Sequence, residues 1–104
     1  MNTTNDRIIA DDADIERAAQ CLKAMAHPLR LKILCTLGVD KVSVQDIVAR
    51  VGTTQSNISQ HLGVLRDRGI LASHKDANRV YYRIDDKRTL QLIGMLQEIY
   101  CSRH

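Results

Sequence analysis

Two sets of residues in this 104-residue chain have types and spacings that could do chemistry. The first is three thiols, Cys21, Cys35 and Cys101. No two of them form a Cys-x-x-Cys pair, so the redox motif of a thiol oxidoreductase is missing. The second is a polar run, Thr53-Thr54-Gln55-Ser56-Asn57, continuing through Ser59, Gln60 and His61. If residues 55–68 are helical, Ser56, Ser59, Gln60 and Gly63 share one side, while Ile58, Leu62 and Leu65 share another. The polar side carries short hydroxyls and an amide, with no carboxylate until Asp67. Such groups donate to and accept from base edges and phosphates when a helix enters a major groove. An ordinary solvated face would more often carry Lys and Glu.

The elements that must position these groups are mostly helical. Ile15, Ala18, Ala19, Leu22, Met25 and Ala26 make one helical stripe over residues 12–26. His27-Pro28 breaks it and starts a second helix, 28–37, closed by Gly38. Ser43-Val44-Gln45-Asp46 has the form of a capping box and opens a short helix to Val51. Gly52 breaks the chain, and Thr53 or Thr54 caps the helix that carries the polar face. Ile70–His74 and Val80–Ile84 are strands, the latter alternating apolar and polar, with residues 75–79 as a polar hairpin tip. Asp85-Asp86 caps a last helix, 87–101. The order, helix, helix, helix-turn-helix, hairpin, helix, is mainly α with a small β-hairpin wing, a winged helix-turn-helix. In this frame Lys75, Asn78 and Arg79 at the tip either clasp an adjacent DNA backbone or remain a solvated turn. His61, flanking the core stripe, is either a phosphate contact or a structural histidine.

The last helix holds Leu90, Leu92, Ile93, Met95, Leu96, Ile99 and Tyr100, leaving little polar surface. A helix apolar nearly all round must be covered on most sides. In so short a chain the expected cover is a second copy, giving a homodimer through the first and last helices.

Composition narrows the partners. There are 15 Lys and Arg against 12 Asp and Glu, for a formal net charge of +3. Residues 1–16 hold one basic and five acidic side chains, and residues 17–104 fourteen basic and seven acidic. An acidic flexible leader, 1–11, therefore precedes a basic domain, 12–104, suited to a polyanion. Three Tyr, no Phe and no Trp argue against base stacking on single strands. No segment approaches the roughly 20 apolar residues of a membrane span, and the chain starts without a signal peptide, so a cytoplasmic protein with reduced thiols is expected.

Three blocks in order, Leu22-Lys23-Ala24-Met25-Ala26-His27-Pro28-Leu29-Arg30-Leu31-Lys32-Ile33-Leu34, Thr54-Gln55-Ser56-Asn57-Ile58-Ser59-Gln60-His61-Leu62 and Asn78-Arg79-Val80-Tyr81-Tyr82-Arg83-Ile84, resemble the ArsR/SmtB family of winged-helix repressors. The resemblance implies a dimer that binds operator DNA and releases it when an inducer binds. The family's Cys-Val-Cys metal motif is replaced by Ser43-Val44-Gln45, and residues 85–101 lack the histidines of its zinc-type members. Cys35 and Cys101 instead fall where the reactive-sulfur branch, the SqrR, BigR and HlyU type, carries its sensing pair. That likeness implies no enzymatic activity, no resident cofactor or metal, and reactive sulfur species as inducer. A thiophilic metal or metalloid held by Cys21, Cys35 and Cys101 is the alternative. Read from the residues alone, Cys35 lies on a stripe with Leu31 and Leu34, where a buried, inert thiol is the usual outcome. Cys101 ends a helix, where the dipole disfavours a thiolate, although Arg103 and His104 follow. Cys21 reads as a packing residue.

Overall fold

The computed structural model describes residues 11–101. Residues 1–10 of the expected leader, and Arg103 and His104, lie outside them. Among the described residues, five helices and three strands follow in the order α1 (Asp12–Met25), α2 (Pro28–Leu37), β1 (Val42–Ser43), α3 (Val44–Val51), α4 (Gln55–Asp67), β2 (Leu71–Asp76), β3 (Arg79–Ile84) and α5 (Lys87–Tyr100). This is the winged helix-turn-helix expected from the sequence.

Each helix start has a local cause. Asp11, assigned to the leader on composition, is the N-cap of α1 and accepts from the Asp14 amide at 2.9 Å. His27 caps α2 through Nδ1, with Pro28 as the first helical residue. Ser43 caps α3, Thr54 caps α4 and Asp86 caps α5. Between α3 and α4, Gly52 adopts φ +86°, a left-handed turn that side chains disfavour and that lets the two helices cross. After α4, Gly69 at φ +75° closes the helix, and the Ile70 amide reaches back to the Leu65 carbonyl at 3.0 Å. That closure fixes how the β2–β3 hairpin leaves α4.

The sheet departs from the expected hairpin in two ways. Val42 and Ser43 form a third strand, giving the antiparallel order β1-β3-β2. Two residues are too few to show a period-2 pattern, so sequence alone missed them. The strands also run to Asp76 and from Arg79, so Lys75, Asp76 and Arg79 are ladder residues and only Ala77 and Asn78 turn the chain.

Ile33, Leu34, Leu37, Ile47, Ile58, Leu62 and Leu65 are completely enclosed, joining α2, α3 and α4 with Leu71 and Tyr82 of the sheet. Burying side chains of this kind contributes about 1.5–3 kcal/mol each before entropy is subtracted. The outer helices are different. On α1 only Ala24 and Met25 are buried, whereas Ile15, Ala18, Ala19, Leu22 and Ala26 of the expected stripe are exposed. On α5 only Ile93 is buried; Met95, Ile99 and Tyr100 are exposed by 57%, 65% and 79%. Both apolar faces that the sequence assigns to burial are thus left uncovered by the chain itself. Among the described residues no helix is long and apolar enough to cross a membrane.

Candidate nucleic-acid interface and thiol pocket

Helix α4 sits on the core through Ile58, Leu62 and Leu65. Its opposite side is therefore turned outward by the helical period. Thr54, Gln55, Ser56, Asn57, Ser59 and Gln60 are exposed and Thr53 is partly so. The Thr54 hydroxyl accepts from the Asn57 amide at 3.1 Å, and Asn57 Nδ2 donates to the Thr53 hydroxyl at 3.2 Å. These two bonds order the start of the helix and leave the Gln55, Ser56, Ser59 and Gln60 side chains facing solvent. No acidic residue lies in the first turn. A Cβ added at Gly63 would meet nothing within 4 Å, so the chain's own packing does not require glycine there. The arrangement is compact, uncharged and able to exchange hydrogen bonds.

Lys75, Asn78 and Arg79 are exposed at the end of the β2–β3 hairpin. Lys75 and Arg79 lie on the ladder and Asn78 in the two-residue turn between the strands, which holds the cations of the tip in register.

His61 is partly buried and belongs to a different constellation. Arg30 of α2 donates from Nε to His61 Nδ1 at 3.1 Å and from Nη1 to the Ala24 carbonyl of α1 at 3.1 Å. The His27 and His61 rings lie 4.6 Å apart, centre to centre. Burial, the nearby His27 and the Arg30 charge lower the His61 pKa from its ordinary value. With Nδ1 accepting, the neutral ring carries its proton on Nε2. Of the two roles open for His61, this geometry supplies the structural one. Sequence reading did not single out Arg30; nothing in a spacing of 31 residues signals a cross-helix bond.

The three thiols do not converge. Cys21 is partly buried and lines a shallow groove with Arg17, Gln20, Asp67 and Arg68, between α1 and the end of α4. Cys35 and Cys101 line another pocket, of about 280 Å³, with Leu31, Leu96, Gln97 and Tyr100. Leu31 and Cys35 are one turn apart on α2, and the α5 residues are likewise one turn apart, so two helix ridges face each other across it. Among the described residues no three metal-ligating side chains are gathered, which removes the Cys21, Cys35, Cys101 metal site within one chain. The inert, buried reading of Cys35 also fails, because the thiol is exposed. Helix α2 turns Ile33, Leu34 and Leu37 to the core, and Cys35 falls on its edge toward α5.

Comparison with known proteins agrees with this architecture. The family described as "Bacterial regulatory protein, arsR family" matches residues 27–73, from the cap of α2 into β2. The Biofilm growth-associated repressor of Xylella fastidiosa is 35% identical over 85 residues, covering 82% of this chain and 75% of that protein. The chain belongs to the arsR family of bacterial regulators. The transcriptional activator HlyU of Vibrio cholerae is 38% identical over 86 residues, covering 83% of this chain and 80% of its own. The solved structure of HlyU superposes with a TM-score of 0.84 at 35% identity, over 88% of this chain and 100% of that one. Reduced HlyU superposes with a TM-score of 0.82 at 36% identity, over 86% and 95%. Like these arsR-family relatives, the chain is a DNA-binding transcription regulator and not an enzyme.

Proposed function

We propose that the chain is a homodimeric repressor that holds a pseudo-palindromic operator in double-stranded DNA and releases it when reactive sulfur joins Cys35 to Cys101. The observation that carries this reading is the pocket the two thiols share between α2 and α5. Those are the helices through which a change could reach both the core of the DNA-binding unit and the dimer.

The uncovered faces of α1 and α5 support the dimer. Ile15, Leu22, Met95, Ile99 and Tyr100 are exposed large apolar side chains, and a second copy is the cover of matching chemistry. Gly94 adds to this: a Cβ there would meet nothing within 4 Å in the chain, although a mid-helix glycine costs roughly 0.5–1 kcal/mol. Two-fold symmetry presents two α4 helices, each reading a half-site through Thr53, Thr54, Gln55, Ser56, Ser59 and Gln60, with His61 behind them. The half-sites lie about one helical turn apart. Lys75, Asn78 and Arg79 of each wing hold the flanking backbone. The work is done beside the chromosome, in the cytoplasm, where thiols rest reduced.

In the switching step the two thiols give up two protons and two electrons. With hydrogen disulfide as the oxidant, the Cys35–Cys101 bond forms, the sulfur–sulfur bond of the oxidant breaks, and two molecules of hydrogen sulfide leave. Longer polysulfides leave extra sulfur between the two Sγ atoms, which widens the span the bridge tolerates beyond the roughly 7 Å Cα limit of a plain disulfide. Tying α2 to α5 biases the dimer toward a spacing of α4 helices that fits DNA less well. A coupling of about 1–3 kcal/mol lowers affinity roughly 5- to 150-fold. The Xylella relative is named a repressor and the Vibrio relative an activator; we read release of DNA by the inducer as relief of repression. Peptide mass spectrometry after treatment with inorganic polysulfide tests the step: a Cys35–Cys101 linked peptide pair is expected, and linkage through Cys21, or none, contradicts it.

A further inference from the structure

We propose that the outer face of the wing sheet is a second DNA-contacting surface, one that grips backbone phosphates without reading sequence. It rests on the DNA-binding reading above and extends it to residues outside α4 and the hairpin tip.

The register places these residues. Tyr82 pairs with Val42 and Ser73, and with Leu71 and Ile84 it turns to the core, so the alternate residues of β3, Arg79, Tyr81 and Arg83, turn outward. His74 pairs with Tyr81 and shares that outer side. Lys41, immediately before β1, joins them: its Nζ lies 5.3 Å from the centre of the Tyr81 ring. Between them is a concavity of about 340 Å³ lined by Lys41, Ser73, His74, Tyr81, Tyr82 and Arg83, with no carboxylate in the lining. Arg83 does meet Asp85 at 3.4 Å, an exposed pair of little strength. Asp76 pairs with Arg79 in the register at the tip. Lys41 and Arg79 make no ion pair among the described residues.

The column from Arg79 to Arg83 spans about 13 Å at roughly 3.3 Å per residue. That is too long for one small anion and suits successive phosphates along a strand. It also ends at the wing tip, so it continues a contact rather than starting an isolated one. Arginine and lysine neutralise phosphates, and a tyrosine hydroxyl donates to them, but neither contact carries sequence information.

The experiment uses a duplex selected from a random library by the wild-type protein, and a scrambled duplex of equal length. Affinity is measured against salt for wild type and for the double variant Lys41→Ala, Arg83→Ala, whose two side chains are exposed and leave the core intact. The expected result is weaker binding to both duplexes by the same factor, with a log–log salt slope shallower by about 2, as for two lost phosphate contacts. An unchanged slope and affinity overturns the proposal. So does a loss confined to the selected duplex, which would mean base reading, or saturable binding of inorganic phosphate that the variant loses, which would mean a small-anion site. Failure of the wild type to bind any duplex would instead overturn the DNA-binding reading itself.

Discussion

Arg30 Nε donates to His61 Nδ1 at 3.1 Å, across 31 residues of chain. The same guanidinium holds the Ala24 carbonyl near the end of α1, so one side chain ties α1, α2 and α4 together. The bond needs a neutral imidazole, because a protonated ring has no acceptor at Nδ1.

A pH dependence follows from that requirement. The His61 pKa is lowered in the folded chain from the ordinary 6.5, so folding favours the neutral ring. The unfolded chain binds the extra proton first as pH falls through 6.5. The stability from holding this ring neutral, set first by its burial and then by His27 and Arg30, is whole above that value and is lost as pH falls toward the lowered folded pKa. Urea midpoints should therefore drop below pH 6.5, and His61→Gln, which keeps an acceptor and does not titrate, should flatten that drop. Asp86 acts in a separate window: hydrogen bonds from Arg88 lower its pKa from 3.8 to about 2, so its contribution is lost only in strong acid. A wild-type midpoint flat between pH 7 and 5.5 would contradict the role given to the Arg30–His61 bond.

Sequence and structure agree most where a pattern repeats over several turns. The core side of α4, Ile58, Leu62 and Leu65, was legible, and with it the outward polar side, because one period fixes both. The caps at Ser43, Thr54 and Asp86 were legible from residue type and spacing. Strand β1 was not, because two residues carry no periodicity, and Lys41 and Arg83 become neighbours only through its register. The stripe of α1 was seen correctly as apolar but is uncovered in the single chain, since hydropathy does not say which molecule supplies the cover. The pocket shared by Cys35 and Cys101 was hidden for the same reason: helix-to-helix packing is not written in spacing.

The dimer is open to a substitution that spares the fold. Met95 and Ile99 are exposed by 57% and 65% in the single chain, so Met95→Glu with Ile99→Glu should leave the helical content unchanged. Two buried carboxylates at the interface would separate the copies. Sedimentation should show dimers for wild type and monomers for the variant. A variant that stays dimeric would place the interface elsewhere.

The thiols are separable by function. Cys35→Ser and Cys101→Ser should each bind the selected duplex as the wild type does and remain bound after polysulfide treatment. Cys21→Ser, on its separate groove, should still release. Release retained in both the Cys35 and Cys101 variants would end the sulfur-switch account.

The most direct measurement is the affinity of Ser56→Glu, Gln60→Glu for the selected duplex, at the same salt as wild type. Both side chains are solvent-facing, so the variant should fold normally. Two carboxylates set against phosphates and base acceptors should reduce binding to the level of a scrambled duplex. Unchanged affinity for the selected sequence would mean that α4 does not read DNA, and the switch would have no output to control.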